Sequence, residues 1–129
     1  MIHLNLEDFR KPIIDEADKN FNHAQGFNEN YTRTPLLYQQ QRFTGSTISQ
    51  EGDFHRIIEY AEGLAEGRNC LFSKNILVSE VFYSNGYELN GKTWHENKNI
   101  ESVWERYTSQ KWDENGNLIY EKNIDPNAD

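Results

Sequence analysis

The chain has 129 residues, with 21 Asp and Glu against 13 Lys and Arg, and a formal net charge of -8. This acidic balance argues against nucleic-acid binding, which needs clustered Lys and Arg. Aromatic residues make up 13% of the chain, too many for a disordered segment. We therefore expect one globular domain over residues 1–123 and a short tail over 124–129.

The first predicted element is a helix from Glu7 to His23. Pro12 suits an early helical position, and apolar residues recur at helical spacing. They are Phe9, Ile13, Ile14, Ala17 and Phe21.

The sequence starts without a secretory signal pattern and has no apolar run of membrane-spanning length, so we expect a cytoplasmic protein without a membrane partner.

A polar connection from Asn22 to Pro35 is predicted to follow. The first half of Leu36–Ser49 is then a candidate strand, and Gly45 indicates a bend. A second helix is predicted after it, with Asp53 as its N-cap and Gly67 just beyond its end. Its apolar stripe consists of Phe54, Ile57, Ile58, Ala61, Leu64 and Ala65.

Strand patterns dominate the rest of the chain. The segments Leu71–Tyr83, Tyr87–Glu96, Glu101–Trp112 and Leu118–Asn123 are rich in β-branched or aromatic residues and are separated by short polar connections. Such an arrangement predicts an antiparallel meander of about four long strands.

Three Asn-Gly pairs are candidate hairpin turns, because both residues tolerate positive φ. Asn85-Gly86 and Asn90-Gly91 are too close for both to form turns. We predict a turn at Asn90-Gly91 and a kink at Gly86, with Asn115-Gly116 in the last turn. The uneven spacing of the pairs argues against short hairpin repeats of the MORN type.

Three segments resemble the nuclear transport factor two-like superfamily, including its SnoaL-like members. They are "FTGSTISQEGDFHRIIEYAEGL", "NGYELNGKTW" and "VWERYTSQKWDENGNLIYEKNID", within Phe43 to Asp125. The resemblance implies an α+β fold in which a curved antiparallel meander sheet packs as a cone on about two helices. The region before Phe43 departs from the family, which usually has two or three helices there.

The resemblance also implies a pocket between the concave face of the sheet and the helices. Members of the superfamily act as isomerases, dehydratases, cyclases and epoxide hydrolases. Others bind without catalysis, one bacterial group serves as toxin immunity proteins, and many dimerise through sheet faces. These activities share no catalytic motif, so no residue role is carried over.

Candidate catalytic residues come from the side chains themselves. His95, beside Trp94, is a possible general base near neutral pH, or an exposed histidine at a strand end. Glu105 and Tyr107 are predicted to share one strand face, where a desolvated carboxylate beside a phenol could transfer a proton. The alternative is that Glu105 lies on a solvated face and that Tyr107 covers the sheet.

Candidate ligand-binding residues are Trp94, Trp104 and Arg106. An arginine among tryptophans can bind an anion or stack on a ring, and the alternative for Arg106 is an ion pair on the outer face. The three tryptophans, Trp94, Trp104 and Trp112, form a candidate dimer surface, although at least one is expected in the core.

No metal or cofactor is predicted. The four histidines are scattered without metal-ligand spacing, and the glycine-rich loops that bind nucleotides are missing from the sequence. Cys70, the single cysteine, is expected to be a buried small hydrophobe.

Three functions remain open. The first is a small-molecule pocket protein of the SnoaL-like type, such as an isomerase, dehydratase or cyclase using acid–base chemistry. The second is an acidic inhibitor or immunity protein for a basic toxin, and the third is a non-catalytic accessory subunit. A cavity that reaches His95, Glu105 or Tyr107 would favour the first.

Overall fold

A computed structural model describes residues 2–23 and 34–124. Within these ranges the chain forms β-strands and one turn of 3-10 helix, Leu6–Asp8, and it contains no α-helix. The strands are β1 (Ile13–Asp15), β2 (Phe21–His23), β3 (Leu36–Tyr38), β4 (Gln41–Arg42), β5 (Gly45–Glu51), β6 (Phe54–Ala61), β7 (Leu64–Ser73), β8 (Ile76–Ser84), β9 (Tyr87–Trp94), β10 (Ile100–Trp104), β11 (Thr108–Trp112) and β12 (Leu118–Asn123).

Nine strands form one sheet in the order β1-β5-β6-β7-β8-β9-β10-β11-β12, and β2, β3 and β4 form a small second sheet. From β5 to β12 each strand pairs antiparallel with the next one along the chain, whereas β1 runs parallel to β5. The antiparallel meander is therefore present and longer than predicted. The α+β cone is wrong, because the described residues provide no helices for a sheet to wrap.

The predicted helix Glu7–His23 is instead a 3-10 turn, β1 and β2. Side-chain oxygens of Asp15 and Asp18 accept hydrogen bonds from the backbone N–H groups of Ala17, at 2.8 Å, and Asn20, at 2.9 Å. Such local bonds hold the backbone in turns and compete with helix formation. The apolar spacing alone could not reveal this competition.

The predicted helix between Asp53 and Gly67 is the hairpin of β6 and β7. Glu62 and Gly63 form its turn, with φ angles of 51° and 83°. Both values are positive, as a type I′ hairpin turn requires. The buried residues of β6 are Ile57 and Glu59, two positions apart, which is the period of a strand rather than of a helix.

The predicted turn at Asn90-Gly91 is wrong, and so is the kink at Gly86. Asn85 and Gly86 form the tight turn between β8 and β9, with φ angles of 50° and 83°. Gly91 lies inside β9, paired with Val81 on one side and Trp104 on the other. The indole of Trp104 occupies the space that a side chain at this position would need.

Hairpin turns recur along the meander although the Asn-Gly pairs do not. Gly52, Glu62, Lys74 and Asn85 each begin a two-residue turn, at intervals of ten to twelve residues. The uneven spacing of the Asn-Gly pairs therefore does not reveal the regular spacing of the hairpin turns, because Lys-Asn and Glu-Gly make equivalent turns with positive φ.

Two predicted strands are interrupted by turns. Leu71–Tyr83 divides between β7 and β8 at Lys74 and Asn75, and Glu101–Trp112 divides between β10 and β11. The last strand, Leu118–Asn123, is confirmed with the bounds predicted. The connection Asn22–Pro35 and the tail 124–129 lie mostly outside the described residues.

The core lies where the N-terminal segment covers one face of the sheet. Its buried members are Phe9, Ile57, Cys70, Phe72 and Leu77, with Trp94 among the partly buried residues packed against them. Cys70 is fully buried, which confirms its predicted role.

A charged pair closes one side of this core. Glu59 accepts hydrogen bonds from the backbone N–H groups of Arg10, at 3.0 Å, and Arg68, at 2.8 Å. The guanidinium of Arg68 lies 4.4 Å from the ring centroid of Phe9, so it covers an aromatic side chain while remaining near Glu59 and Glu80. Glu59 is thus buried without being left unpaired.

Candidate binding site at one end of the sheet

His95 directly follows β9, at the end of the sheet where alternate hairpins turn. The turns at this end lie at 52–53, 74–75, 95–99 and 113–117. Because the meander brings every second turn to the same end, residues distant in sequence become neighbours here.

The imidazole of His95 lies between two hydrogen-bond acceptors. Its Nε2 atom is 2.8 Å from the carbonyl oxygen of Trp112, and its Nδ1 atom is 3.4 Å from Oε2 of Glu101. The side chain is 15% exposed. His95 therefore connects the β9–β10 turn to β11 through Trp112 and to β10 through Glu101.

Two further side chains connect the neighbouring turns. The amide groups of Asn97 and Asn99 both donate to the carbonyl oxygen of Glu114, at 2.7 and 2.8 Å. Together with the His95–Trp112 contact, these bonds fasten the β9–β10 turn to the β11–β12 turn. We call this set of contacts the cross-turn clamp.

The β11–β12 turn is also stabilised from within. The carboxylate of Asp113 accepts hydrogen bonds from the backbone N–H groups of Asn115 and Asn117, both at 2.9 Å. These bonds to Asn117 and Asn115 favour the charged form and lower the pKa of Asp113. The carbonyl of Glu114 is thus presented to the clamp by an ordered turn.

A hollow of about 650 Å³ opens beside the clamp. We call it the acidic hollow, and its lining residues are Phe54, Ser73, Val78, Trp94, His95, Glu96, Asn97, Glu101 and Glu114. Three of them are glutamates, and none of these described lining residues is Lys or Arg. Glu101 is engaged by His95 and also accepts from the hydroxyl of Thr93, at 3.0 Å.

Aromatic surface accompanies these carboxylates. Phe54 is 47% exposed, and Trp94 packs on the core with its remaining surface toward the hollow. Carboxylates beside aromatic rings favour a cation, because the carboxylates supply negative charge and the faces of the rings attract positive charge. The acidic hollow is therefore suited to a guanidinium or ammonium group.

A smaller cavity of about 360 Å³ adjoins the acidic hollow. Its apolar lining comes from Ile2, Ile76, Leu77, Val78 and Trp94, and Lys74 and Lys98 also line it. A third hollow, of about 770 Å³, includes Glu101, Lys111 and Asp113. All three spaces have His95 in their lining, so the sequence singled out the residue at their junction.

The other predicted catalytic residues, Glu105 and Tyr107, and the predicted ligand-binding residue Arg106 lie elsewhere. All three are in the exposed turn between β10 and β11, at the opposite end of the sheet. Glu105 and Tyr107 do not share a strand face as predicted, and the nearest aromatic contact of Arg106 is with Tyr107, at 5.0 Å. None of the three lines the hollows described around His95.

The tryptophans do not form one surface. Trp94 packs against the core, whereas Trp104 lies over Gly91, which is on the opposite face of β9. The indole Nε1 of Trp104 donates to Glu88, at 3.2 Å. Of the predicted ligand-binding residues, Trp94 alone lines the spaces around His95.

Sequence patterns did not identify four of the site residues, which are Phe54, Glu96, Glu101 and Glu114. No signal in the sequence places Phe54 and Trp94 around the same hollow, because that placement depends on alternate turns meeting at one end of the sheet. The segment "HENKN" at 95–99, dense in polar residues, was the available indication of a functional turn.

No group of histidine, cysteine, aspartate and glutamate that could hold a metal ion occurs among residues 2–23 and 34–124. In the same ranges, no helix has the length and apolarity to cross a membrane.

Comparison with family models, curated proteins and solved structures found no match. The resemblance named above therefore gains neither support nor refutation from these comparisons, although the fold that it implied is not the one formed.

Proposed function

We propose that this chain is a non-catalytic binding protein that captures a basic protein partner in the acidic hollow, as an inhibitor or immunity protein does. One observation carries the proposal: three carboxylates and two aromatic rings meet in a space whose described lining contains no Lys or Arg. Such a space accommodates an Arg or Lys side chain that would be expensive to bury elsewhere.

The charge of the whole chain supports this choice. A net charge of -8 attracts a cationic partner and accelerates its encounter. The cross-turn clamp adds preorganisation, since a rigid site loses less conformational entropy on binding. The proposed location is the cytoplasm, where such an inhibitor would occupy the working surface of a basic toxin.

The test uses a labelled peptide of six arginines, and its counterpart of six citrullines as the uncharged control. Fluorescence anisotropy should show binding of the arginine peptide alone, weakening between about 0.02 M and about 0.2 M salt because screening increases. The double variant Glu96→Lys/Glu114→Lys should lose about tenfold or more in affinity.

The matched control is Glu62→Lys/Glu105→Lys. It makes the same change in net charge at the opposite end of the sheet, where both carboxylates lie on turns. A loss of less than about threefold is expected there. Equal losses in the two double variants would mean that net charge, and not the acidic hollow, attracts the peptide.

A second function, that of a small-molecule pocket protein, is favoured by the 360 Å³ cavity, because this cavity reaches His95. Its apolar walls suit a small amphipathic anion, and its two lysines, Lys74 and Lys98, outnumber its one carboxylate, that of Glu96. The probe is 8-anilinonaphthalene-1-sulfonate, an aromatic sulfonate. Saturable fluorescence enhancement that Lys74→Gln/Lys98→Gln removes would support a small-molecule pocket, and no enhancement would argue against it.

A further inference from the structure

The outer side of β12 is an open edge. The strand is last in the nine-stranded order, and no described strand pairs with its far side. All six of its residues are exposed. Open edges offer backbone donors and acceptors to another strand, and proteins usually protect them.

Exposed apolar side chains concentrate along this edge. Ile119 is 65% exposed, and Leu118, Tyr120 and Ile124 are each close to half exposed. When a neighbouring strand is added, a strand with exposed apolar residues on both faces buries apolar surface on each of them. By contrast, the edge strand at the other side of the sheet, β1, is only three residues long, which limits pairing there.

The backbone groups that point outward can be assigned. The N–H of Ile124 donates to the carbonyl of Tyr107, at 2.7 Å, so the adjacent pair Thr108–Asn123 is a non-hydrogen-bonded pair of the ladder. Hydrogen-bonded and non-hydrogen-bonded pairs alternate along an antiparallel ladder, so Gln110–Glu121 is also a non-hydrogen-bonded pair. The N–H and C=O groups of Glu121 and Asn123 therefore face away from β11.

We infer that β12 binds an extended segment of a basic partner protein, which adds a tenth strand to the sheet. Main-chain hydrogen bonds to Glu121 and Asn123 would supply affinity, and side chains packing on Ile119 and Tyr120 would supply specificity. The strand begins beside the third hollow, whose lining includes Ile119, Asp113 and Glu114, so a segment on β12 leads toward the acidic end of the sheet.

Charge favours this occupant over a second copy of the chain. Two copies would bring together net charges of -8 each, which repel. A basic segment does not meet this obstacle.

The choice of a basic occupant rests on the proposed function, whereas the pairing of strands does not. The probe is therefore a labelled ten-residue peptide that alternates valine and lysine, compared with one that alternates valine and glutamate. Hydrogen exchange measured by NMR reports on the amides of Glu121 and Asn123 directly. We expect the lysine peptide to slow both exchange rates by about tenfold or more.

The deciding variant is Glu121→Pro, which removes an outward N–H without removing a bond to β11. Its matched control is Glu121→Ala, which removes the same charge and keeps the N–H. We expect the proline variant to lose about tenfold more affinity than the alanine variant, with circular dichroism spectra of both unchanged. If the proline variant perturbs β12, the exchange experiment on the unmodified chain still decides.

The possible failures are distinguishable. Binding of the lysine peptide that survives Glu121→Pro but not Glu96→Lys/Glu114→Lys would overturn strand addition and leave the acidic hollow in place. Binding of both peptides with protected β12 amides would overturn the basic occupant. Concentration-dependent dimerisation that Glu121→Pro removes would identify a second copy as the occupant and overturn the proposal.

Discussion

The indole of Trp104 lies where a side chain at Gly91 would stand, because a Cβ at Gly91 would clash with Cζ2 of that ring. Gly91 thus serves the close approach of an aromatic ring, and not a turn. The contact fixes the register of β9 against β10, because a shift by one residue would place a larger side chain under the ring.

We predict that Gly91→Ala destabilises the protein by about 1–3 kcal/mol, as overpacking does. In the background of Trp104→Ala the same substitution should cost much less, because the obstructing ring is gone. Urea denaturation of the four proteins in this double-mutant cycle measures the coupling. Additive effects would show that the two residues do not interact.

The location of the β8–β9 turn gives a second prediction. Asn85→Thr should lower the free energy of unfolding by about 1–2 kcal/mol, because a β-branched residue is strained at positive φ. Asn90→Thr should change stability by less than about 0.5 kcal/mol, because threonine is favourable within a strand. The reverse order in thermal denaturation would place the turn at Asn90-Gly91.

The cross-turn clamp predicts coupling between two turns. Replacing Asn97 and Asn99 by alanine should lower the free energy of unfolding by about 1 kcal/mol for each hydrogen bond lost. Amide exchange of residues 113–117 should become faster, while the turn at Asn85 and Gly86 serves as the internal control. Unchanged exchange at 113–117 would mean that the β11–β12 turn is ordered without the clamp.

Cys70 should be unreactive in the folded protein. Burial raises the pKa of this thiol to about 12, so the nucleophilic thiolate is scarce at neutral pH. We expect no labelling by iodoacetamide at about pH 8 without denaturant and complete labelling in urea. Rapid labelling of the native protein would contradict the burial of Cys70.

The same shift has a consequence for stability at high pH. Because the folded-state pKa lies above the ordinary value of 9.0, the stabilising contribution of the neutral thiol is complete below about pH 9 and is lost as pH rises toward about 12. Cys70→Ala should remove this dependence, and urea denaturation across that range tests it.

Asp113 should make the stability of the folded protein depend on pH under acidic conditions. Its pKa is lowered by hydrogen bonds from Asn117 and Asn115, so its contribution to stability is present above the ordinary value of 3.8 and is lost as pH falls through the lower folded-state value. Asp113→Ala should therefore reduce stability at neutral pH and make little difference in strong acid. Thermal denaturation over this range provides the measurement.

The strands that sequence patterns located were those with turn signals on both sides. Leu118–Asn123 follows "DENGN", and its bounds were correct. The hairpin β6–β7 was taken for a helix because Phe54, Ile57, Ile58 and Ala61 recur at helical spacing, whereas a strand places the neighbours Ile57 and Ile58 on opposite faces. What separates the two structures is the burial of Glu59, which depends on Arg68 in the facing strand and on Arg10, 49 residues away in the sequence.

The candidate site was predictable only in part. His95 and Trp94 were identified from local chemistry, and both lie in the spaces described above. Glu105 and Tyr107 were misplaced because "SVWERYTSQ" has no Gly, Pro or Asn at the turn that divides it. Glu114 and Phe54 join the site through topology, which a single sequence does not reveal.

The meander also determines how the chain can fold. Between β5 and β12 every strand pairs with one only a single turn away, so each step closes a short loop at small entropic cost. By contrast, β1 pairs with β5, through Ile13 and Ser46, across a much longer stretch of chain. We expect the hairpins to form first and rapidly, and the N-terminal segment that completes the core to dock last.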